Sequence, residues 1–211
     1  KAYSLNFIFD KFFIPDEGEL FLYNMDYSDK IGAFTKNNNK NHGRFSTRPI
    51  SGDEIIIEYY EPKHSTSKAR INIAEIIHGY RDIFSNHNGR GYDDAADCHN
   101  NVNCAEAQQW DDEINSIVMT LTDGGTRLCS GTMINNTNQD FEPYFLTSET
   151  CLGGHQDWIF MFNYQSSDCD NENGPIDQTL SGATLLSHHF ESDFALLKLQ
   201  EFPPDSFNVY F

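Results

Sequence analysis

Residues 1–84 alternate between short β-branched or aromatic runs and polar segments rich in turn-forming residues. The runs typical of strands are 3–9, 19–23, 54–60 and 70–77. Proline, glycine and asparagine separate them, as in 15–18 and 37–43, and these residues favour turns. Residues 70–77 begin by alternating polar and apolar positions, which indicates a sheet with one face in water. The spacing predicts an antiparallel β-sandwich-like domain.

The second part of the chain contains six further apolar runs. They are 114–121, 128–134, 143–147, 158–164, 178–187 and 193–199. Six strands with short connections are typical of a closed antiparallel barrel, which leaves no exposed edge strand. Residues 85–97 are polar, contain glycine and lack apolar periodicity, which favours a linker. The prediction is an all-β chain, with a sandwich-like domain over 1–84 and a six-stranded β-barrel over 98–211.

Composition narrows the class of protein. The 211 residues are 38% hydrophobic and 14% aromatic, which is too apolar for a disordered acidic tail. No run reaches the roughly 18 apolar residues of a membrane helix, so we expect no membrane span. The net charge of −18 argues against a nucleic-acid partner. Residues 98–211 carry −15 of this charge and residues 1–97 only −3, which supports two different domains.

All five cysteines lie in the second part, and none forms a C-x-x-C pair. Well-separated cysteines without metal-ligand spacing indicate a disulfide framework. Disulfides persist in oxidising compartments, so we expect a secreted, extracellular or cell-surface protein. The odd number leaves one thiol without a partner inside this chain.

Four motifs follow one another in the second part in a specific order. They are CSGTMINN at 129–136, YFLTSETC at 144–151, NYQSSDC at 163–169 and SDFALLKL at 192–199. In this order they resemble the first barrel of chymotrypsin-fold (trypsin-like) serine proteases, and most closely the secreted bacterial lysyl endopeptidases. In that family an L-T-A-x-H-C segment carries the general-base His, and an S-D-F-x-L-L-x-L strand carries the Asp that orients it. Residues 43–50 and 78–80 resemble the β-rich region that precedes the protease in some secreted relatives.

The resemblance also implies how the cysteines pair. Cys129 would bond to Cys151, and Cys104 to Cys169. Cys98 matches the cysteine that, in the family, bonds to the second barrel. It is therefore expected to be unpaired within this chain or to form an intermolecular disulfide.

Two departures from the family pattern bear on catalysis. The alignment places Thr150 at the position of the catalytic His, whereas Asp193 matches the orienting Asp. A threonine hydroxyl cannot accept a proton from serine near neutral pH, whereas imidazole, with a pKa near ~6.5, can. Glu149 is a weak substitute because its reference pKa is only ~4.3. In that family the nucleophilic Ser and the oxyanion hole belong to the second barrel, whereas the sequence up to Phe211 matches only the first, so we expect this chain not to cleave peptides.

Other polar residues offer alternatives. His155, His188 and His189 are the nearby imidazoles. His188 and His189 lie four or five residues before Asp193 and could supply a displaced base or, with Asp193, a metal site, but a surface pair of histidines is the more common explanation. Asp168, Asp170 and Glu172 lie in an oxygen-rich loop that is a candidate for Ca²⁺, without the EF-hand spacing; a solvated loop is the plainer interpretation.

Three functional hypotheses follow. The first is a catalytically inactive relative (a pseudoprotease) that acts as a binding or assembly component of an extracellular or cell-surface complex. Its partner would be another protein or a second-barrel fragment, with a disulfide through Cys98 as one possible link. The alternative is the N-terminal portion of a longer or processed serine endopeptidase. A third is a carbohydrate or peptide binder that uses a former substrate cleft of the barrel.

Overall fold

A computed structural model describes residues 1–81, 83, 100–170 and 172–211 of the chain. The chain divides into two compact units, Lys1–Asp82 with Asp123–Gly125, and Ile83–Thr122 with Thr126–Phe211. The linker predicted over 85–97 lies outside the described residues, as does Cys98. Within the described part, no helix is long and apolar enough to span a membrane.

The first unit is built from two antiparallel sheets. Its described strands are β1 (Ser4–Phe13), β2 (Glu19–Asn24), β3 (Lys30–Phe34), β4 (Phe45–Ser46), β5 (Ile50–Ser51), β6 (Ile55–Tyr60) and β7 (Arg70–Gly79). β7 pairs along the whole of β1, while β4 and β5 share the opposite edge. The second sheet has the order β3-β2-β6.

Phenylalanine dominates the core of this unit. The buried cluster contains Phe7, Phe9, Phe12, Ile14, Leu20, Leu22, Ile31, Phe45 and Ile50. The rings of Phe12 and Phe45 stack at 4.4 Å between centroids. Such rings bury large apolar areas, so these aromatic pairs contribute much of the cohesion between β1 and β4.

A buried ion pair between Arg48 and Asp29 links two separate segments of this unit. The Arg48 guanidinium donates to both carboxylate oxygens of Asp29, at 2.6 and 3.2 Å, and also to the Pro49 carbonyl at 2.7 Å. The exposed fractions of these two side chains are only 2% and 13%. Asp29 also accepts the Ser51 amide at 2.8 Å. These bonds tie the β2–β3 loop to the segment between β4 and β5.

The second unit contains one seven-stranded antiparallel sheet within the described residues. Its strands are β8 (Ile117–Leu121), β9 (Arg127–Ile134), β10 (Tyr144–Thr147), β11 (Ile159–Phe162), β12 (Thr179–Ser181), β13 (Ala183–His189) and β14 (Phe194–Leu199). Their order in the sheet is β12-β11-β8-β9-β10-β14-β13. A short helix, α1 (Asp111–Ile114), precedes β8.

Chain connectivity forces this sheet to curl. β12 and β13 lie at opposite ends of the strand order, yet Gly182 alone separates them in the chain. The sheet must therefore bend until its two edges meet, as in a barrel. Gly182 has φ +82°, a conformation that side chains disfavour, and it breaks the strand predicted over 178–187 into two. The all-β prediction is confirmed, with seven strands where six were predicted.

Large aromatic side chains fill the curled sheet. Phe145, Trp158, Phe160 and Phe162 are at most 1% exposed. The rings of Phe145 and Phe160 meet edge to face at 5.2 Å between centroids. Gly131 on β9 lies against the Phe145 ring and the Leu146 carbonyl, which leaves no room for a side chain.

Candidate active site and its polar network

The end of β10 and the start of β14 lie side by side. Thr147 is paired with Ala195 across these two strands. Asp193 immediately precedes β14 and has φ +47°, in the left-handed region. Residues Glu149–Cys151 form a single 3₁₀ turn directly after β10. The strand pairing therefore brings this turn next to the Asp193 carboxylate.

Hydrogen-bond donors of the tripeptide Ser148–Thr150 surround the Asp193 carboxylate. The amide and the hydroxyl of Thr150 each donate to its Oδ1 at 2.9 Å. The Ser148 hydroxyl lies 2.7 and 2.8 Å from its two oxygens. Ser148 Oγ also accepts the Thr150 amide at 3.2 Å and so caps the 3₁₀ turn. The network is compact because all its donors come from one tripeptide.

These donors favour the ionised carboxylate. The Thr150 amide, the Ser148 hydroxyl and the Thr150 hydroxyl, in that order, hold the pKa of Asp193 below its usual value. The side chain is nevertheless exposed. Asp193 is thus a solvent-facing anion that anchors a turn.

The structure brings Thr150 and Asp193 together but leaves the histidines elsewhere. Among the described residues, no imidazole is hydrogen-bonded to Asp193. His188 Nδ1 lies 3.6 Å from Glu149 Oε1. His189 Nδ1 is 3.2 Å from the Ser192 hydroxyl, inside the β13–β14 turn. Hence neither residue is positioned as a base oriented by Asp193.

His155 occupies a third environment. Its ring meets Trp158 edge to face at 6.2 Å between centroids. Partial burial lowers the pKa of His155, so the neutral imidazole is favoured at neutral pH. It therefore serves as a packing residue beside the aromatic core.

Two disulfides hold this unit. Cys129 on β9 is bonded to Cys151, the residue after Thr150, and Cys104 is bonded to Cys169. These are the pairs that the resemblance implied. The first bond ties the 3₁₀ turn to the sheet and so limits how far Thr150 can move.

The candidate calcium loop does not form a metal site in the described part of the chain. Asp168 Oδ1 accepts the Asp170 amide at 2.9 Å, which closes a local turn. The Ser166 hydroxyl donates to the Glu172 carbonyl at 2.6 Å. No group of three or more His, Cys, Asp or Glu side chains is arranged for a metal ion among the described residues, which exclude Asn171.

Ser148 was missed by the reasoning from sequence. It contributes a hydroxyl to Asp193 and caps the turn that carries Thr150. A serine at the end of a predicted strand, two residues before Thr150, was the available signal, since serine commonly caps such turns. The left-handed backbone of Asp193 had no comparable signal.

Comparison with known proteins identifies relatives of this chain. The family model described as "Lysyl endopeptidase, C-terminal domain" matches residues 92–211. The chain is also similar to the lysyl endopeptidase of Pseudomonas aeruginosa, with 23% identity over 178 residues. That match covers 74% of this chain and 37% of the relative, so the chain spans well under half the length of that protein.

Proposed function

Because the chain belongs to the family of the lysyl endopeptidase C-terminal domain, we propose that it is a catalytically inactive relative of these serine proteases. It acts as a binding or assembly component of an extracellular or cell-surface protein complex. The curled seven-stranded sheet and the two disulfides are consistent with a chymotrypsin-type barrel from an oxidising compartment.

The direct bond between Thr150 and Asp193 carries this proposal. In a Ser-His-Asp triad the carboxylate orients an imidazole, which in turn accepts the serine proton. Here the threonine hydroxyl and amide, each 2.9 Å from Oδ1, take the place that such an imidazole would need. The hydroxyl cannot act as a base near neutral pH. Asp193 therefore has a structural role in the β10–β14 region.

Exposed apolar side chains in the same unit support a binding role. Phe190, in the β13–β14 turn beside Asp193, is 80% exposed, and Leu186 on β13 is 48% exposed. Phe141 is 62% exposed, and its ring contacts that of Phe211 at 6.0 Å between centroids. Aromatic side chains are enriched at protein interaction sites. The −15 charge of residues 98–211 favours a partner with a basic surface.

A substrate assay tests the inactivity. The purified native protein is incubated with a chromogenic lysyl amide and, separately, with a fluorophosphonate that labels reactive serines. We expect neither turnover above a heat-treated sample nor labelling. Turnover that falls in the Asp193→Asn variant would refute the proposal, and would favour a longer serine endopeptidase with a working triad.

Intact mass measured with and without reductant tests the binding role. A mass that falls to that of this chain on reduction would indicate a partner linked through Cys98, which lies outside the described residues. Crosslinking before purification extends the test to non-covalent partners. A protein that remains a monomer with no crosslinked partner, at its natural concentration, would contradict an assembly role.

A further inference from the structure

The sheet formed by β2, β3 and β6 carries aromatic side chains on its outer face. Alternate residues of a strand point to opposite faces. Leu20, Leu22 and Ile57 face the core of the first unit. The alternate positions on the other face are Glu19, Phe21 and Tyr23 of β2, and Ile56, Glu58 and Tyr60 of β6. An antiparallel face in water is usually polar, so this composition requires an explanation.

The β2–β3 loop adds a further aromatic ring to this face. Tyr27 stacks on Tyr23, with 4.7 Å between ring centroids and 21° between planes. The ring of Tyr27 covers Tyr23, whereas Tyr27 itself is 64% exposed. A flat phenol ring is therefore presented to solvent, parallel to a second ring that supports it.

The loop holds Tyr27 in a strained and well-supported conformation. Its φ of +63° lies in the left-handed region, which non-glycine residues disfavour and which is concentrated at ligand sites. The Tyr27 amide donates to the Asn24 carbonyl at 3.1 Å. The Asn24 side chain accepts the Asp29 amide at 3.1 Å, and Asp29 is anchored by the buried Arg48. These bonds connect the backbone of Tyr27 to the buried Arg48–Asp29 ion pair and so fix its position.

Polar groups lie between the aromatic rings. Lys30 Nζ is 4.2 Å from the centroid of Phe21 and 5.9 Å from that of Tyr23. The Tyr23 hydroxyl donates to Glu58 Oε2 at 2.9 Å. This bond to Glu58 is the main cause that raises the pKa of Tyr23 to about 12, so the phenol stays protonated. One ammonium and one carboxylate are therefore held among aromatic rings, and Glu19, opposite Tyr60, adds a second carboxylate, so the face has a net charge of only −1.

The face is long enough for an extended ligand. Tyr60 is 58% exposed and follows Ile56 by four residues along β6. Ile56 is paired with Tyr23, beneath Tyr27. At about 3.3 Å per residue, the two exposed tyrosines are separated by roughly 13 Å along the sheet. Phe21, Lys30 and Glu58 occupy the interval.

We propose that this tyrosine face, formed by Phe21, Tyr27, Lys30, Glu58 and Tyr60, binds a neutral oligosaccharide. Sugar rings combine an apolar C–H surface that packs on aromatic rings with hydroxyl groups that exchange hydrogen bonds with carboxylate and ammonium groups. Tyrosine suits such a ligand because its ring is apolar and its hydroxyl is polar.

The same features disfavour other ligands. A protein interface core is depleted of charged side chains, whereas Lys30 and Glu58 lie between the rings here. Nucleic acids require several basic side chains to neutralise phosphates, and this face presents one lysine beside Glu58. A neutral, extended, polyhydroxylated ligand matches both the small net charge and the length.

Affinity electrophoresis of the full chain tests the proposal. Native gels contain soluble laminarin, mannan, xylan or dextran, and calorimetric titration follows with the hexasaccharide of any polymer that retards the protein. We expect retardation by at least one polymer. Tyr27→Ala and Tyr60→Ala should each weaken binding by about 3- to 10-fold, the range of one aromatic contact. Tyr27→Phe retains the ring and should keep most of the affinity.

Matched exposed aromatic residues of the second unit provide the controls. Phe202→Ala and Tyr210→Ala remove rings that are 62% and 53% exposed, and both should bind like the unmodified protein. Near-ultraviolet circular dichroism checks that the tyrosine variants are folded. Absence of retardation in all four polymers would overturn the proposal, as would unchanged binding by both tyrosine variants. A dimer in sedimentation that Tyr27→Ala dissociates would instead assign the face to self-association and would also overturn it.

Discussion

Replacing Arg48 with methionine tests whether a buried ion pair holds the first unit together. The guanidinium makes two bonds to Asp29 and one to the Pro49 carbonyl, all at 3.2 Å or less. Methionine has a similar length and is apolar, so it removes these bonds with little change in packing. The substitution leaves the Asp29 carboxylate, 13% exposed, with the Ser51 amide as its remaining bond in the structure.

The expected loss of stability is large for a small unit. Removing one partner of a buried ion pair typically costs ~3–5 kcal/mol, because the other charge stays buried without compensation. Domain stabilities are only about 5–15 kcal/mol, so the variant should be close to unfolding. The double variant Arg48→Met/Asp29→Asn removes the unpaired charge as well. We expect it to recover at least about half of the loss, since a neutral amide is less costly to bury than a carboxylate.

The two units can be followed separately during urea denaturation. Both tryptophans, Trp110 and Trp158, lie in the second unit, so their fluorescence reports on that unit. Six of the ten tyrosines lie in residues 1–82, and their near-ultraviolet circular dichroism reports mainly on the first. Arg48→Met should lower the midpoint of the tyrosine transition while the tryptophan transition changes little.

Two results would refute this reasoning. A loss below about 1 kcal/mol for Arg48→Met would mean that the pair contributes no more than an exposed salt bridge. A double variant that is less stable than Arg48→Met would mean that the buried charge is not the cause. Arg48→Lys serves as a further control because it keeps the charge but loses the two-pronged geometry, and it should fall between the unmodified protein and Arg48→Met.

Three further predictions concern the second unit. Gly131→Ala places a methyl group against the Leu146 carbonyl and the Phe145 ring, so it should destabilise the unit by about 1–3 kcal/mol or more in the tryptophan transition; an unchanged midpoint would contradict the close approach. The lowered pKa of Asp193 contributes stability that is present above its unfolded value of ~3.9 and lost as the pH falls below it. Asp193→Asn should therefore flatten the acid limb of the stability profile, and an unaltered limb would refute the role of the Thr150 amide and hydroxyl. Replacing both Cys129 and Cys151 with alanine opens a link between residues 22 apart and should cost about 3 kcal/mol, measured without reductant; equal stability would show that the bond does not constrain the unit.

The strands predicted from apolar runs correspond to long, well-paired strands. The runs 3–9, 19–23, 54–60 and 70–77 coincide with β1, β2, β6 and β7, because β-branched and aromatic residues fit a pleated, half-buried surface. The three strands of the first unit that the apolar runs did not predict, β3, β4 and β5, are short. β4 and β5 have two residues each and exist only by pairing with β1. β3 contains Gly32 and only five residues, too few for a distinct pattern.

The candidate site was foreseen in part. Motif order singled out Thr150 and Asp193, which the structure places within hydrogen-bonding distance. The contribution of Ser148 was not foreseen, since its hydroxyl reaches Asp193 only because β10 and β14 are paired. The assignment of Thr150 to the position of a catalytic His remains a prediction from sequence.

Sequence by itself determined the all-β class, the cysteine framework and the family, because these depend on alternation, spacing and motif order, which are local or linear properties. Tertiary structure alone decided three things. Gly182 lets one predicted strand become two edges of a curled sheet. Pairing of β10 with β14 gives Asp193 its hydrogen-bond donors. Pairing of β2 with β6, together with the loop before β3, gathers Tyr23, Tyr27 and Tyr60 on one face. Residues far apart in the chain acquire common neighbours only when strands pair, and no single stretch of sequence contains that information.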